Sequence, residues 1–205
     1  MIGNKEEQLL TMGSFRLAVK IKSVKDLISN CLKKESTQIG KNMKDAHMNT
    51  IGADFILLSV HKNAHVVTRG DNEPVAELNL KNREMACSLV YENVLLIGTY
   101  VDTLFVFSVS DFAPLFSMRS HDSILSMCVI STNHNFLALA QAGGYIDVLK
   151  LQGTQRNQGI IVSSLILAEA GYINKVSLAF SQNSLILACE RGVFFLNIDT
   201  SRKNL

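Results

Sequence analysis

Ile124-Leu125-Ser126-Met127-Cys128-Val129-Ile130, then Phe136-Leu137-Ala138-Leu139-Ala140, then Tyr145-Ile146-Asp147-Val148-Leu149-Lys150-Leu151 and Ile160 to Leu167, are four short apolar runs in succession. They are separated by polar and glycine-containing breaks, among them the tight Gly143-Gly144 turn and a longer loop from Gly153 to Gly159. Runs of this length with such punctuation read as four antiparallel strands joined by hairpins. The second run also recurs. Ile56-Leu57-Leu58-Ser59, Leu95-Leu96-Ile97-Gly98, Leu137-Ala138-Leu139-Ala140 and Leu185-Ile186-Leu187-Ala188 repeat one pattern, ending at positions 59, 98, 140 and 188 and so spaced 39, 42 and 48 residues apart. That period is the length of a four-stranded blade in a β-propeller.

The unit before reads the same way, through Met85 to Val90, Val94 to Gly98, Leu104 to Val109 and Leu115 to Met118. The unit after gives three strands, Val176 to Phe180, Leu185 to Ala188 and Val193 to Ile198, and little in the body reads as helix apart from an ambiguous run around Ser163 to Ala170. The predicted fold class is therefore mainly β, a β-propeller-like array of four-stranded antiparallel blades with a short N-terminal strand and helix. Residues 51–205 form the repeats. Residues 1–50 hold a strand in which Phe15, Leu17, Val19 and Ile21 alternate with polar or small residues, an amphipathic helix at about 24–34, and a polar linker from Ser36 to Thr50. The array has three full units and a partial one, which leaves it incomplete, completed by another chain in a homo- or hetero-oligomer, or closed as a small ring. The Phe15 to Ile21 strand is the candidate for completing the last blade.

In the segment Ser120-His121-Asp122-Ser123-Ile124-Leu125-Ser126-Met127 through Tyr145-Ile146-Asp147-Val148 the chain resembles a WD-repeat blade, and the resemblance extends over residues 55–199. His121 stands where that family places the His of its Gly-His dipeptide, with Ser120 for the Gly, and Asp102 stands where it places the turn Asp that pairs with such a His. The chain departs from the family in having no Trp, with Phe107 and Leu149 at the expected positions, and in carrying Gly144 instead of a turn Asp. The resemblance implies a His121 to Asp102 pairing between neighbouring units and a protein-binding role.

Composition narrows the function further. Hydrophobic residues are 47% and charged residues 19% of the 205, yet no apolar run is long enough to cross a bilayer and the first ten residues do not form a signal peptide. A cytoplasmic, alternatively nuclear, protein without membrane association is expected. Formal net charge is +2, with nine Lys/Arg against five Asp/Glu in residues 1–50 and a mildly acidic remainder. That basic head with one adjacent aromatic, Phe15, is a poor nucleic-acid surface, so RNA binding ranks last. Cys31, Cys87, Cys128 and Cys189 form no CxxC pair, and His61 and His65, four apart, sit on a strand, turn and strand rather than a helix, so no metal site is predicted. No phosphate-binding glycine loop, serine elbow or converging acid-base set is present, so no cofactor or catalytic residue is assigned and the protein reads as a non-enzyme.

The expected function is a protein–protein interaction scaffold that uses the loops at blade rims, because the strands are consumed by core packing. The candidate rim residues are Asp102, His121, Asp122, Asn133, His134, Gln141, Glu190 and Arg191. The alternative is a C-terminal regulatory propeller segment of a larger enzyme or trafficking protein.

Overall fold

A computed structural model describes residues 9–12, 15–18, 46–69, 74–131, 135–153, 156–168, 170–174, 176–181 and 184–197. Among them every regular element is a strand, and none is a helix long and apolar enough to cross a membrane. The expected helix at 24–34 lies outside the described residues. The chain divides into two compact units, residues 1–79 and 80–205.

The first unit holds the hairpin of β1 (Leu9–Met12) and β2 (Phe15–Ala18) and a meander of β3 (Ala46–Ile51), β4 (Phe55–Val60), β5 (Asn63–Thr68) and β6 (Pro74–Leu78). Two expectations need correction here. The N-terminal strand pairs with β1, Leu10 facing Leu17, in a two-stranded sheet of its own, so it does not complete the last blade. And the end of the polar linker is a strand, β3, paired along its length with β4 from Ala46–Val60 to Ile51–Phe55. It is an edge strand whose residues 47–50 are half-buried, so polar His47, Asn49 and Thr50 cost little there. His61 and His65 sit as expected, one in the β4–β5 turn and one in β5.

The second unit contains three antiparallel sheets arranged as blades. The first of these is β7 (Met85–Tyr91), β8 (Val94–Thr99), β9 (Thr103–Ser108) and β10 (Pro114–Arg119). The next is β11 (Ile124–Ser131), β12 (Phe136–Gln141), β13 (Tyr145–Gln152) and β14 (Gln158–Ile166), and the last is β15 (Val176–Ser181), β16 (Ser184–Cys189) and β17 (Gly192–Asn197). The first part of the ambiguous run, Ser163 to Ile166, is the end of β14, and the described residues after it are turn or irregular. β-branched and aromatic residues dominate strands such as β9, Thr-Leu-Phe-Val-Phe-Ser, and Gly144, at φ 78°, turns the β12–β13 hairpin.

The middle strands β8, β9 and β12 are buried on both faces, which is why they read as nearly continuous apolar runs. One face of the β7–β10 sheet, including Leu96, Leu104 and Val106, packs against Leu137, Leu139 and Leu149 of the β11–β14 sheet. The other face of that sheet, with Ala138, Ala140 and Ile146, packs against Leu178, Leu185 and Leu187 of the last. Each such leucine, isoleucine or valine contributes about 1.5 to 3 kcal/mol by leaving water. The repeated small residue has a steric cause in this unit: a Cβ on Gly98 would come within 2.8 Å of Ile124 Cγ2, on the next sheet's first strand.

Candidate functional site

In an antiparallel meander the connections alternate between the two ends of the sheets. One end of the second unit therefore gathers the turns after β8, β10, β12, β14 and β16, and it carries most of the predicted rim: Asp102, His121, Asp122, Gln141, Glu190 and Arg191. Asn133 and His134 lie outside the described residues; their neighbour Asn135, just before β12, is at the opposite end.

At the first end a polar cluster is built on β12 and β13. Asp147 is the third residue of β13 and has no exposed surface, nor does Gln141, the last of β12. Gln141 Nε2 donates to Asp147 Oδ2 at 2.5 Å, and Ser164 Oγ on β14, directly across from Asp147, donates to Oδ1 at 2.5 Å. The other end of the amide is used as well, since Gln141 Oε1 accepts the backbone N–H of Asp122 at 2.8 Å. His121 lies above, its Nε2 3.9 Å from Asp147 Oδ1 and its ring stacked on Tyr145 at 4.8 Å between centroids. Asp122 Oδ1 accepts from the N–H of Ser123, and Ser123 Oγ donates to the carbonyl of Tyr100 at 2.6 Å, tying this turn to the preceding sheet.

The carboxylate facing His121 is thus Asp147 of its own sheet, which corrects the expected pairing with Asp102. Asp102 occupies a turn at φ 22°, accepts a long bond from Thr103 Oγ1, and meets the His121 loop through its backbone carbonyl, which accepts from Ser120 N–H at 2.9 Å. In the β7–β10 sheet the place of the Gln141–Asp147 pair is taken by Thr99 and Phe105. There Arg83 reaches over Phe105 at 5.9 Å and donates to Thr103 Oγ1.

Chemically the cluster is saturated. Both oxygens of Asp147 are engaged, and Ser164 turns its hydroxyl proton to that carboxylate rather than to His121. What stands out toward solvent at this end is a different set: Glu190 and Arg191 in the β16–β17 turn, with Tyr100, Val101 and Tyr172, the last 60% exposed. Glu190 Oε1 accepts from the backbone and side-chain amides of Asn174, joining the turns after β14 and β16.

The opposite end holds a clamp that sequence reasoning missed. Arg156, before β14, donates through Nη1 to Asn93 Oδ1 at 2.7 Å and through Nη2 to Glu92 and to Asn135, and it covers the Tyr91 ring at 5.2 Å. Tyr91 in turn donates to Asn135 Oδ1 at 3.0 Å. The partners are 21 to 65 positions apart, so no local motif announces them. Only a basic residue in a long loop between two strands could have hinted at the contact.

The residues from Leu80 onward define a class: a mainly β protein of repeated antiparallel sheets arranged as blades, none closed into a barrel. No family model matches the chain, and no curated protein matches it in sequence. Solved structures do resemble it. The crystal structure of the computationally designed Ika4 protein superposes with a TM-score of 0.57 at 15% identity, over 73% of this chain and 88% of that one. The computationally designed Ika8 protein gives 0.56 at 15% identity, over 76% of this chain and 47% of that one. At such identity the likeness establishes fold alone.

Proposed function

We propose that this protein is a non-enzymatic scaffold whose blades, degenerate relatives of WD repeats, present the turns after β8, β10, β14 and β16 to other proteins in the cytoplasm or nucleus. The observation that carries this reading is the exposed set at that end. Tyr100, Val101 and Tyr172 are exposed at the same end of the sheets as His121, Glu190 and Arg191, and tyrosine with arginine is the composition of a protein-binding surface. The interior polar groups are spent on holding the turns: Asp147, the one fully buried carboxylate described, is satisfied by Gln141 and Ser164. Free thiols at Cys87, Cys128 and Cys189 suit a reducing compartment.

The test is affinity capture with the tagged full chain, quantified by mass spectrometry, comparing wild type with Tyr172→Ser combined with Arg191→Ala. A near-stoichiometric partner lost in the variant, with the melting temperature unchanged, supports the reading. Partners retained by the variant, or none at all, would remove it.

A further inference from the structure

The last sheet differs from its peers in one respect. In each complete sheet the third strand, β5, β9 or β13, lies between the second and a fourth strand, whereas β17 pairs with β16 and has no second neighbour among the described residues. Register makes the comparison residue by residue. Ser59–Ala64, Gly98–Leu104, Ala140–Ile146 and Ala188–Val193 are equivalent pairs between second and third strands. Leu104 and Ile146 are 0% and 3% exposed, but Val193 is 57%; two residues on, Val106 is 0% and Phe195 is 68%. Among the described residues the edge of β17 is therefore an open row of backbone donors and acceptors, and Val193 and Phe195 form an apolar strip on the outer face beside it, the face that Leu104 and Ile146 in their own sheets bury against the next sheet.

The same register shows what such an edge takes. Opposite Ala64, Leu104 and Ile146 stand Leu78, Met118 and Leu165. The residue before each of these, facing the next position of the third strand, is Glu77, Ser117 and Ser164. In all three cases a polar residue is followed by a long aliphatic one.

We propose that the open edge of β17 binds an extended strand of another polypeptide, antiparallel, with a polar residue opposite Phe194 and a leucine or methionine opposite Val193. Strand addition to an exposed edge gains its affinity from main-chain hydrogen bonds and its specificity from alternate side chains. A second copy's β17, Gly-Val-Phe-Phe-Leu-Asn, has no polar residue followed by a long aliphatic one, and β2 is already committed to β1. Nor does β17 carry a charge or a proline, the usual protections of an edge. This surface is distinct from the turns at the sheet end and stands whether or not those bind a partner.

The probe is a synthetic peptide of residues 113–119, Ala-Pro-Leu-Phe-Ser-Met-Arg, added to the full chain and followed by fluorescence anisotropy and hydrogen exchange. Saturable binding with new amide protection at 192–197 is expected, weakened about tenfold by Met118→Asp in the peptide. Because alternate amides of an added strand face the sheet, one of two complementary N-methylation patterns must abolish binding and the other must not. Absence of saturable binding, protection elsewhere, or equal effects of both patterns would overturn the proposal. So would protection of 192–197 in the free chain, whether from self-association, read by sedimentation, or from its own segments in a monomer.

Discussion

Gln141 and Asp147 face each other across the β12–β13 hairpin with no exposed surface on either, and the amide is held at both ends, by the Asp122 backbone N–H and by the carboxylate. Replacing Asp147 with Ala strands the Gln141 amide in the interior and frees Ser164. An unsatisfied buried donor costs about 1 to 3 kcal/mol, so the variant should lose stability in that range, read as a lower urea midpoint with an unchanged slope. Gln141→Ala should lose a similar amount, and the double variant less than the sum, because both remove the same contact.

Gly144 sits at φ 78°, and a Cβ there would meet the carbonyl oxygen of Gly171 at 2.9 Å. Gly144→Val therefore suffers both a disfavoured backbone and a backbone collision, and a loss of roughly 1 to 3 kcal/mol is expected in thermal unfolding. Gly171, also at positive φ but with open space around its missing Cβ, should tolerate Ala at a smaller cost.

Arg156 joins three connections at the far end of the sheets. Arg156→Lys retains the charge but lacks the planar fork that engages Asn93, Glu92 and Asn135 together, so it should destabilise nearly as much as Arg156→Ala, by about 1 to 3 kcal/mol. Equal stability of the Lys variant and wild type would show that the clamp acts through charge alone.

His65 gives an acid-side dependence. Burial lowers its pKa below 6.5, opposed by Glu77 across the strand pair, and its buried Nε2 has no hydrogen-bond partner among the described residues. The unfolded chain then binds the proton first as pH falls, so this group's contribution is present above 6.5 and lost as pH drops through that value. Urea midpoints at about pH 7.5 and 5.5 should differ less in His65→Phe than in wild type.

The thiols act on the alkaline side. Burial pushes Cys87 up to about 12 and Cys128 to about 11 from a reference of 9.0. Unfolded thiols ionise first as pH rises, so the folded state should lose stability above about pH 9, and Cys87→Ala should reduce that slope. Native Cys87, whose thiol donates to the Ile124 carbonyl, should resist alkylation until urea is added.

The strands were readable because alternating and apolar runs leave a period in the chain, and the turns because Gly144 and short polar breaks punctuate it. Strand β3 escaped because an edge strand tolerates the polar residues that mimic a linker. At the site, His121 was found but its partner was not: the carboxylate comes from inside a β13 run that otherwise reads as core. Asp147 stands inside an otherwise apolar run, and only the register that sets it opposite Ser164 explains it. The Arg156 clamp depends on residues brought together by stacking of whole sheets, which no local pattern encodes.

Among the described residues of the second unit, the β11–β14 sheet is held on both faces, while the three-stranded β15–β17 sheet is held on one. A stack joined by nearest-neighbour faces comes apart like a zip from its loosest member. Amides of β16 should therefore exchange through a local opening well below the free energy that releases those of β12, making the C-terminal sheet the place where this unit begins to fray.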